Sequence, residues 1–297
     1  MKLRRAVCFV VWLFSLCAAA RADEFLLVDT STITLRISPK PDGLLHTAIL
    51  DWVRAEARAV TSYEGRFPVP EIALIVHVDS GNDIDHGVTY RGRRIEIHVG
   101  RDIAGDALAQ DWELAHEMFH LALPMLDDDY DWMGEGFSDY LEPLARVRTG
   151  SMTRQEFWNQ LQEGLPKGLP KKGDAGLDNS HAWGRMYWGG ALYWFLADLR
   201  IREQTHNRRS LRDVARAYLS AGGNGRAEWE IDQILKVGDR ATGTTVLKDL
   251  HDLMGDKPYT PDLSTLWRDL GIRNDAQGIT FDEQAPLAAI RNAITAD

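Results

Sequence analysis

The chain has 297 residues, 44% of them hydrophobic, and carries 44 Asp and Glu against 34 Lys and Arg, a formal charge of −10. That length is ample for one large core or two modest ones. The acidic balance argues against nucleic acid and anionic membrane surfaces as partners.

Lys2, Arg4 and Arg5 precede an apolar run from Ala6 to about Ala20, and Ala20-Arg21-Ala22 fits the small-x-small rule of signal peptidase. Cleavage after Ala22 would leave 275 residues (297 − 22) and move the charge from −10 to −14, because four basic and no acidic residues are lost. The run is shorter than the roughly 20 residues that span a bilayer. Cys8 and Cys17 both fall within it, and Phe14-Ser15-Leu16 lacks the small residue that lipoprotein processing wants before Cys17. The expectation is an exported protein, periplasmic or secreted, with no membrane insertion after signal removal and no disulfide.

Between Leu44 and Glu64, the residues Leu45, Ile49, Trp52, Val53 and Ala57 recur at helical spacing. Pro68 and Pro70 lead into a β-branched strand over 72–78. Residues 87–90 and 94–99 flank Arg91-Gly92-Arg93 as a hairpin would, with Ile95, Ile97 and Val99 alternating against Glu96 and His98. Asp106 is placed to cap a helix that runs to Leu123 and stops at Pro124. After the acidic turn 127–131, a second helix is expected over 134–148, ended by Gly150. Residues 164–182 are rich in Gly, Pro and Lys and read as a long mobile loop. The stretch 183–200 is apolar on nearly every side, as a helix buried in a bundle would be, and further helices fall near 210–220, 228–236, 244–254 and 284–294. The fold class is α+β: a small mixed β-sheet followed by mostly helical parts. The expected layout is a signal peptide (1–22), an N-terminal α/β part (23–100), a helical metal-binding part (101–205) and a C-terminal helical region (206–297).

The chemistry is concentrated in His116-Glu117-Met118-Phe119-His120. Side chains four apart project from one helix face, so the two imidazoles can grip one zinc ion. Glu117, turned about 100° away, can reach a water on the open side of that ion and take its proton. Fourteen residues separate His120 from Glu135, the candidate third ligand. Asp139 lies one helical turn beyond Glu135 and is the candidate carboxylate behind the ring of His116. Glu142, a further turn along, receives no role. The remaining seven histidines show no ligand spacing, although His181 precedes the 183–200 helix and could offer a donor.

His-Glu-x-x-His followed by Trp132-x-x-Glu135-Gly136-Phe137-x-x-Tyr140 resembles the gluzincin zinc metallopeptidases, especially the glycyl aminopeptidase family and its relatives. Those families carry a Tyr-x-Lys-Gly segment downstream, and Tyr187-Trp188-Gly189-Gly190 is similar to it with glycine in place of the lysine. The resemblance implies that Tyr187 donates a hydrogen bond to the tetrahedral oxyanion; a core tyrosine would read the same way. Glu135-Gly136-Phe137-Ser138-Asp139 is similar to the Glu-x-x-Ser-Asp segment of thermolysin-type enzymes. The likeness covers residues 70 to 220 and implies a thermolysin-like catalytic unit, one Zn2+ ion, and a peptide or protein substrate.

Two departures stand out. The His120 to Glu135 spacing is shorter than in the large aminopeptidases, and no Gly-x-Met-Glu-Asn segment precedes the helix to hold a free amine. Glu96 is the nearby acid that could substitute. The strand 94–99 is either a peptide-binding strand beside the cleft, as the family implies, or an internal one. The expected function is zinc-dependent peptide hydrolysis with Glu117 as general base. The alternative is a non-catalytic exported module that binds peptide or protein and keeps the zinc as a pin; structural zinc sites favour four protein ligands, often cysteine, and no cysteine lies beyond Cys17.

Overall fold

The computed structural model describes residues 23–276 and 278–296. The expected signal peptide and both cysteines lie outside them.

Strands β1 (Glu24–Val28) and β2 (Ser31–Ser38) form an antiparallel hairpin that the sequence reading did not include. Its signal was present: Ile33 and Leu35 are fully buried and alternate with threonines facing out. Helix α1 (Gly43–Glu64) starts where Asp42 accepts the backbone N–H groups of Leu44 and Leu45, and ends at Gly65, which takes the left-handed conformation (φ 82°). Strands β3 (Glu71–Asp79), β4 (Ile84–Tyr90) and β5 (Arg94–Gly100) complete a five-stranded sheet ordered β1-β2-β3-β5-β4. It is mixed, as expected: β2, β3 and β5 run parallel, and β1 and β4 pair antiparallel at the two edges. The turn from β4 to β5 places both Arg91 (φ 47°) and Gly92 (φ 58°) at positive φ, the conformation that suits the twist of a tight hairpin.

The helix expected from Asp106 to Leu123 is broken into α2 (Gly105–Gln110) and α3 (Glu113–Phe119). Asp111 causes the break. Its backbone is extended (φ −68°, ψ 149°), and its carboxylate accepts the N–H of Glu113 at 2.8 Å, so it begins a new helix instead of continuing the old one. The cap of α2 is Ala104, and Asp106 sits in the first turn.

Helix α4 (Asp131–Thr149) begins three residues earlier than expected, preceded by a 3-10 turn at Asp128–Tyr130, and stops at left-handed Gly150. Helix α5 (Arg154–Gly164) opens with a capping box between Thr153 and Glu156. Residues 165–182 form a pinned segment rather than a free loop. Leu165 and Leu177 are buried, the Arg185 guanidinium contacts Asp174 at 2.8 Å, and the Trp132 indole N–H donates to Asp178 at 3.0 Å. A π-helical turn (Arg185–Gly189) then leads into α6 (Gly190–Thr205), which is buried nearly all round, as expected.

Helices α4 and α6 meet at two glycines. A Cβ at Gly136 would lie 2.1 Å from the backbone carbon of Gly190, and one at Gly190 would lie 2.1 Å from the Trp132 carbonyl oxygen. Main chain opposes main chain there, so neither side can yield. Gly190→Ala is therefore expected to cost roughly 3 kcal/mol, the upper end for overpacking, which a thermal melt would read as a fall of about 6–12 °C.

The C-terminal part continues with α7 (Leu211–Ser220), α8 (Ile231–Thr242), α9 (Val246–Met254) and α10 (Leu263–Asp269), then a hairpin of β6 (Ile272–Asp275) and β7 (Gly278–Phe281), and finally α11 (Ala288–Ile294). The hairpin and α10 were not anticipated; four-residue strands are too short to show a period. One hydrophobic core joins residues from Leu26 to Ile294. Among the described residues, no helix is long and apolar enough to cross a membrane.

Candidate metal centre

Helix α3 is short because Asp111 fixes its start, and its apolar residues Leu114, Ala115, Met118 and Phe119 are fully buried. His116 and, at the C-cap, His120 are thereby held toward α4, while Glu117 lies against Gly87 of β4. His116 and Glu117 are only 3% and 6% exposed. From the second turn of α4, Glu135 projects toward both rings. His116 Nε2 lies 3.1 Å from Glu135 Oε2 and 3.2 Å from His120 Nε2, and His120 Nε2 lies 3.5 Å from the same carboxylate oxygen.

Three lone-pair-bearing atoms so close repel one another unless something positive sits among them. Ligands about 2.05 Å from a tetrahedral zinc lie about 3.3 Å apart, which is the spacing observed. These three residues form the one His/Cys/Asp/Glu cluster of metal-binding geometry among the described residues. Two imidazoles and a carboxylate are also a donor set that zinc accepts in catalytic sites.

Proton affinities tell the same story. Burial works against the charged form of each histidine, but Asp139 and Glu135 around His116, and Glu135 and Glu117 around His120, outweigh it and raise both rings above the ordinary value. Burial would raise Glu135, yet the two imidazoles hold its carboxyl well below the usual range. The cavity is built for positive charge, and a metal ion there competes with protons.

Asp139 lies behind His116, with Oδ1 3.1 Å from Nδ1, an ion-pair contact not aligned as a hydrogen bond. The side chain of Glu117 borders cavities on both sides of the cluster, and its Oε2 is buried with no hydrogen-bond partner. Gly87 on β4 makes room for it: a Cβ there would lie 2.6 Å from Glu117 Cγ. Tyr187 sits on the π-helical turn, its ring 6.2 Å from that of His116 and nearly parallel to it, and it too borders both cavities. Burial, then the acids Glu135, Asp139, Glu117 and Glu113, push its hydroxyl up, so it stays protonated and able to donate. Tyr187 is thus a cleft residue and not a core one.

Solved structures with this arrangement of elements were found by comparison. An aminopeptidase N family protein from Idiomarina loihiensis superposes with a TM-score of 0.66 at 16% identity, over 89% of this chain and 53% of that one. An M1 zinc metallopeptidase from Deinococcus radiodurans gives 0.53 at 14% identity, over 81% and 52%. The chain shares its fold with zinc metallopeptidases. It spans about half the length of those structures. No protein-family model matches the sequence, and no curated protein does.

Other expected positions fall elsewhere. Glu96 points to the outer face of the sheet, where it pairs with Arg94 at 2.9 Å and His77 at 3.4 Å, so it cannot hold a substrate amine. β5 is internal, between β3 and β4; the strand with a free edge beside the cluster is β4. His181 is exposed and lines neither cavity. Glu113 was missed. Its carboxylate accepts the Gly87 N–H at 2.8 Å and lines the larger cavity, of about 1070 Å³. Its position four residues before Glu117, on the same helix face, was the available signal.

Glu142 is buried and paired with Arg146 at 3.0 Å, near Glu56, which is 1% exposed with an unpartnered oxygen. Burial, only partly offset by Arg146, raises Glu56 from 4.5 to about 8 and Glu142 to about 7. Each carboxyl therefore keeps its proton in the fold at pH values where the unfolded chain has released it. Stability should fall as pH rises from about 4.5 to about 8. Glu56→Gln is expected to flatten this decline and raise the melting temperature at pH 8. A melt series in which variant and parent decline in parallel would assign the slope to other groups.

Proposed function

We propose that this chain is a zinc-dependent peptidase in which His116, His120 and Glu135 hold the ion and Glu117 is the general base. The convergence of three donor atoms at 3.1–3.5 Å, with a buried, unpartnered carboxylate beside them, carries this reading. Zinc held there would acidify a water molecule and polarise a substrate carbonyl. Glu117 accepts the proton of that water and passes it to the leaving nitrogen. Asp139 fixes the ring of His116 from behind. Tyr187, which borders the same space, is the residue whose hydroxyl would donate to the developing oxyanion, a contribution worth about 3 kcal/mol in the transition state. β4 is the edge strand beside the cluster; Glu113 already holds its Gly87 N–H at 2.8 Å, and the remaining edge groups along the cavity offer positions with which an extended peptide can pair.

In this reading the 23–100 part supplies the edge strand, the 101–205 part supplies the donors, and the 206–297 region buttresses them. Export directed by residues 1–22, thermolysin-like organisation and kinship with the glycyl aminopeptidase group belong to the same proposal. The direct test is mass spectrometry of defined peptides, with free and with blocked N-termini, after incubation with the zinc-loaded protein. Products should appear with zinc and vanish with chelator. Intact peptides under every condition would leave a binding module, and the peptidase reading would be abandoned.

A further inference from the structure

The second cavity, of about 960 Å³, runs from Glu117, His120 and Glu135 toward the start of α4 and the 225–230 segment, alongside β4. Its far wall carries Asp127, Asp128, Asp131 and Glu230, with Tyr130 and Trp229 between them. Arg91 is the one Lys or Arg in the described lining, and Glu228 already engages it at 3.2 Å. Four acidic side chains thus line the trough without a Lys or Arg partner among its lining residues; the imidazole of His120, at the reaction-centre end, offsets Asp131 in part.

The neighbouring groups register that excess. Asp131 is raised by burial and then by Asp128 and Glu135, and Tyr130 is raised by burial and then by Asp178, Asp129, Asp127 and Glu230. The aromatic walls are braced: Trp229 meets Tyr218 edge to face at 6.1 Å, and the main chain of Trp229 bonds the carbonyl of Met125 at 3.0 Å. Rigid aromatic faces between carboxylates are the surroundings in which an ammonium or guanidinium group is best held, through charge and through the ring quadrupole. The trough is continuous with the reaction centre, since Glu117, His120 and Glu135 are themselves part of its lining. An extended peptide paired along β4 would send alternate side chains in that direction.

We infer that this trough selects Lys or Arg side chains on one side of the scissile bond, so that the substrates are cationic peptides. The inference rests on the peptidase reading and specifies its substrate class. The experiment compares internally quenched peptides that differ only in bearing Lys, Gln or Glu at the residues flanking the cleaved bond, using the zinc-loaded protein. At low salt the Lys peptide should exceed the Glu peptide in kcat/KM by about tenfold or more, mostly through KM. The ratio should shrink several-fold near 0.5 M salt, where exposed charges are screened over about 4 Å.

The triple variant Asp127→Asn, Asp128→Asn, Glu230→Gln keeps side-chain size and the Asp127 turn acceptor, and should collapse the ratio toward one. Equal rates on the three peptides, or a full preference in the triple variant, would overturn the inference while leaving the peptidase reading intact. If no peptide is cleaved, the peptidase reading fails, and fluorescence anisotropy still decides the trough: a labelled Lys-rich peptide should bind the parent more tightly than the triple variant. Millimolar calcium that raises the melting temperature of the parent but not of the triple variant, and abolishes the peptide preference, would mark the trough as a divalent-cation site and overturn the inference.

Discussion

Glu117→Gln is expected to lower kcat/KM for peptide hydrolysis by about 10²–10⁴-fold, the range associated with losing a positioned general base, while the protein still binds one equivalent of zinc. The geometry makes this a demanding substitution. Glutamine matches glutamate in shape, so the packing of the side chain against Gly87 survives. What disappears is the capacity to accept a proton at a buried position where no other group bonds the carboxylate oxygen Oε2. Because Glu117 is not one of the three converging donors, metal content measured by atomic absorption should match that of the parent. Full activity in this variant would remove the mechanism. Loss of zinc together with activity would instead make Glu117 part of the ion's hold.

His120→Ala should be the second large effect, this time on the metal. Removing one of three donors leaves His116 and Glu135, and zinc affinity is expected to fall by more than the 10–100-fold typical of losing a mere supporting residue. Activity at limiting zinc should be lost. A thermal melt supplies a second readout: added zinc raises the melting temperature of the parent by mass action and leaves the variant near its metal-free value. The effect should also depend on pH. Metal binding requires neutral imidazoles, and the neighbouring carboxylates raise both histidines above their ordinary value, so the zinc-induced shift in the parent should weaken as the solution is acidified through and below neutral pH. A variant that still gains stability from zinc to the same extent would place the ion elsewhere.

How far the sequence reaches differs between the local and the non-local parts of the structure. The meeting of His116 and His120 depends only on helical spacing, and the position of Glu135 follows from the turn that joins two neighbouring helices, so their proximity was legible. Helix α1, strand β3 and the β4–β5 hairpin were legible for the same reason: apolar periodicity and turn chemistry act over a few residues. The break at Asp111 was not, because an aspartate inside an amphipathic run reads equally as a helix surface residue until its carboxylate is seen on the Glu113 N–H. Nor was the identity of the edge strand. Whether β4 or β5 faces the cleft depends on which strand pairs with β3, a contact between segments some twenty residues apart that no local pattern encodes. Glu113 escaped notice because its importance comes from Gly87, on a different element. The segment 165–182 looked free because its composition is that of a loop; its anchors, Trp132 to Asp178 and Arg185 to Asp174 and the Gly168 carbonyl, join residues that no local pattern links.

The backbone contact between Gly136 and Gly190 has a mechanical meaning for the cleft. Glu135 is the neighbour of one glycine, and Tyr187 stands less than a helical turn before the other, so carboxylate and phenol are referenced to each other through touching main chains, with no flexible side chain in between. One jaw of the cleft is in that sense a single casting. Any breathing that admits a bulky polypeptide has to be supplied across the cleft at the β4 margin, since the 225–230 segment is itself tied to Leu121 and Met125 by main-chain bonds.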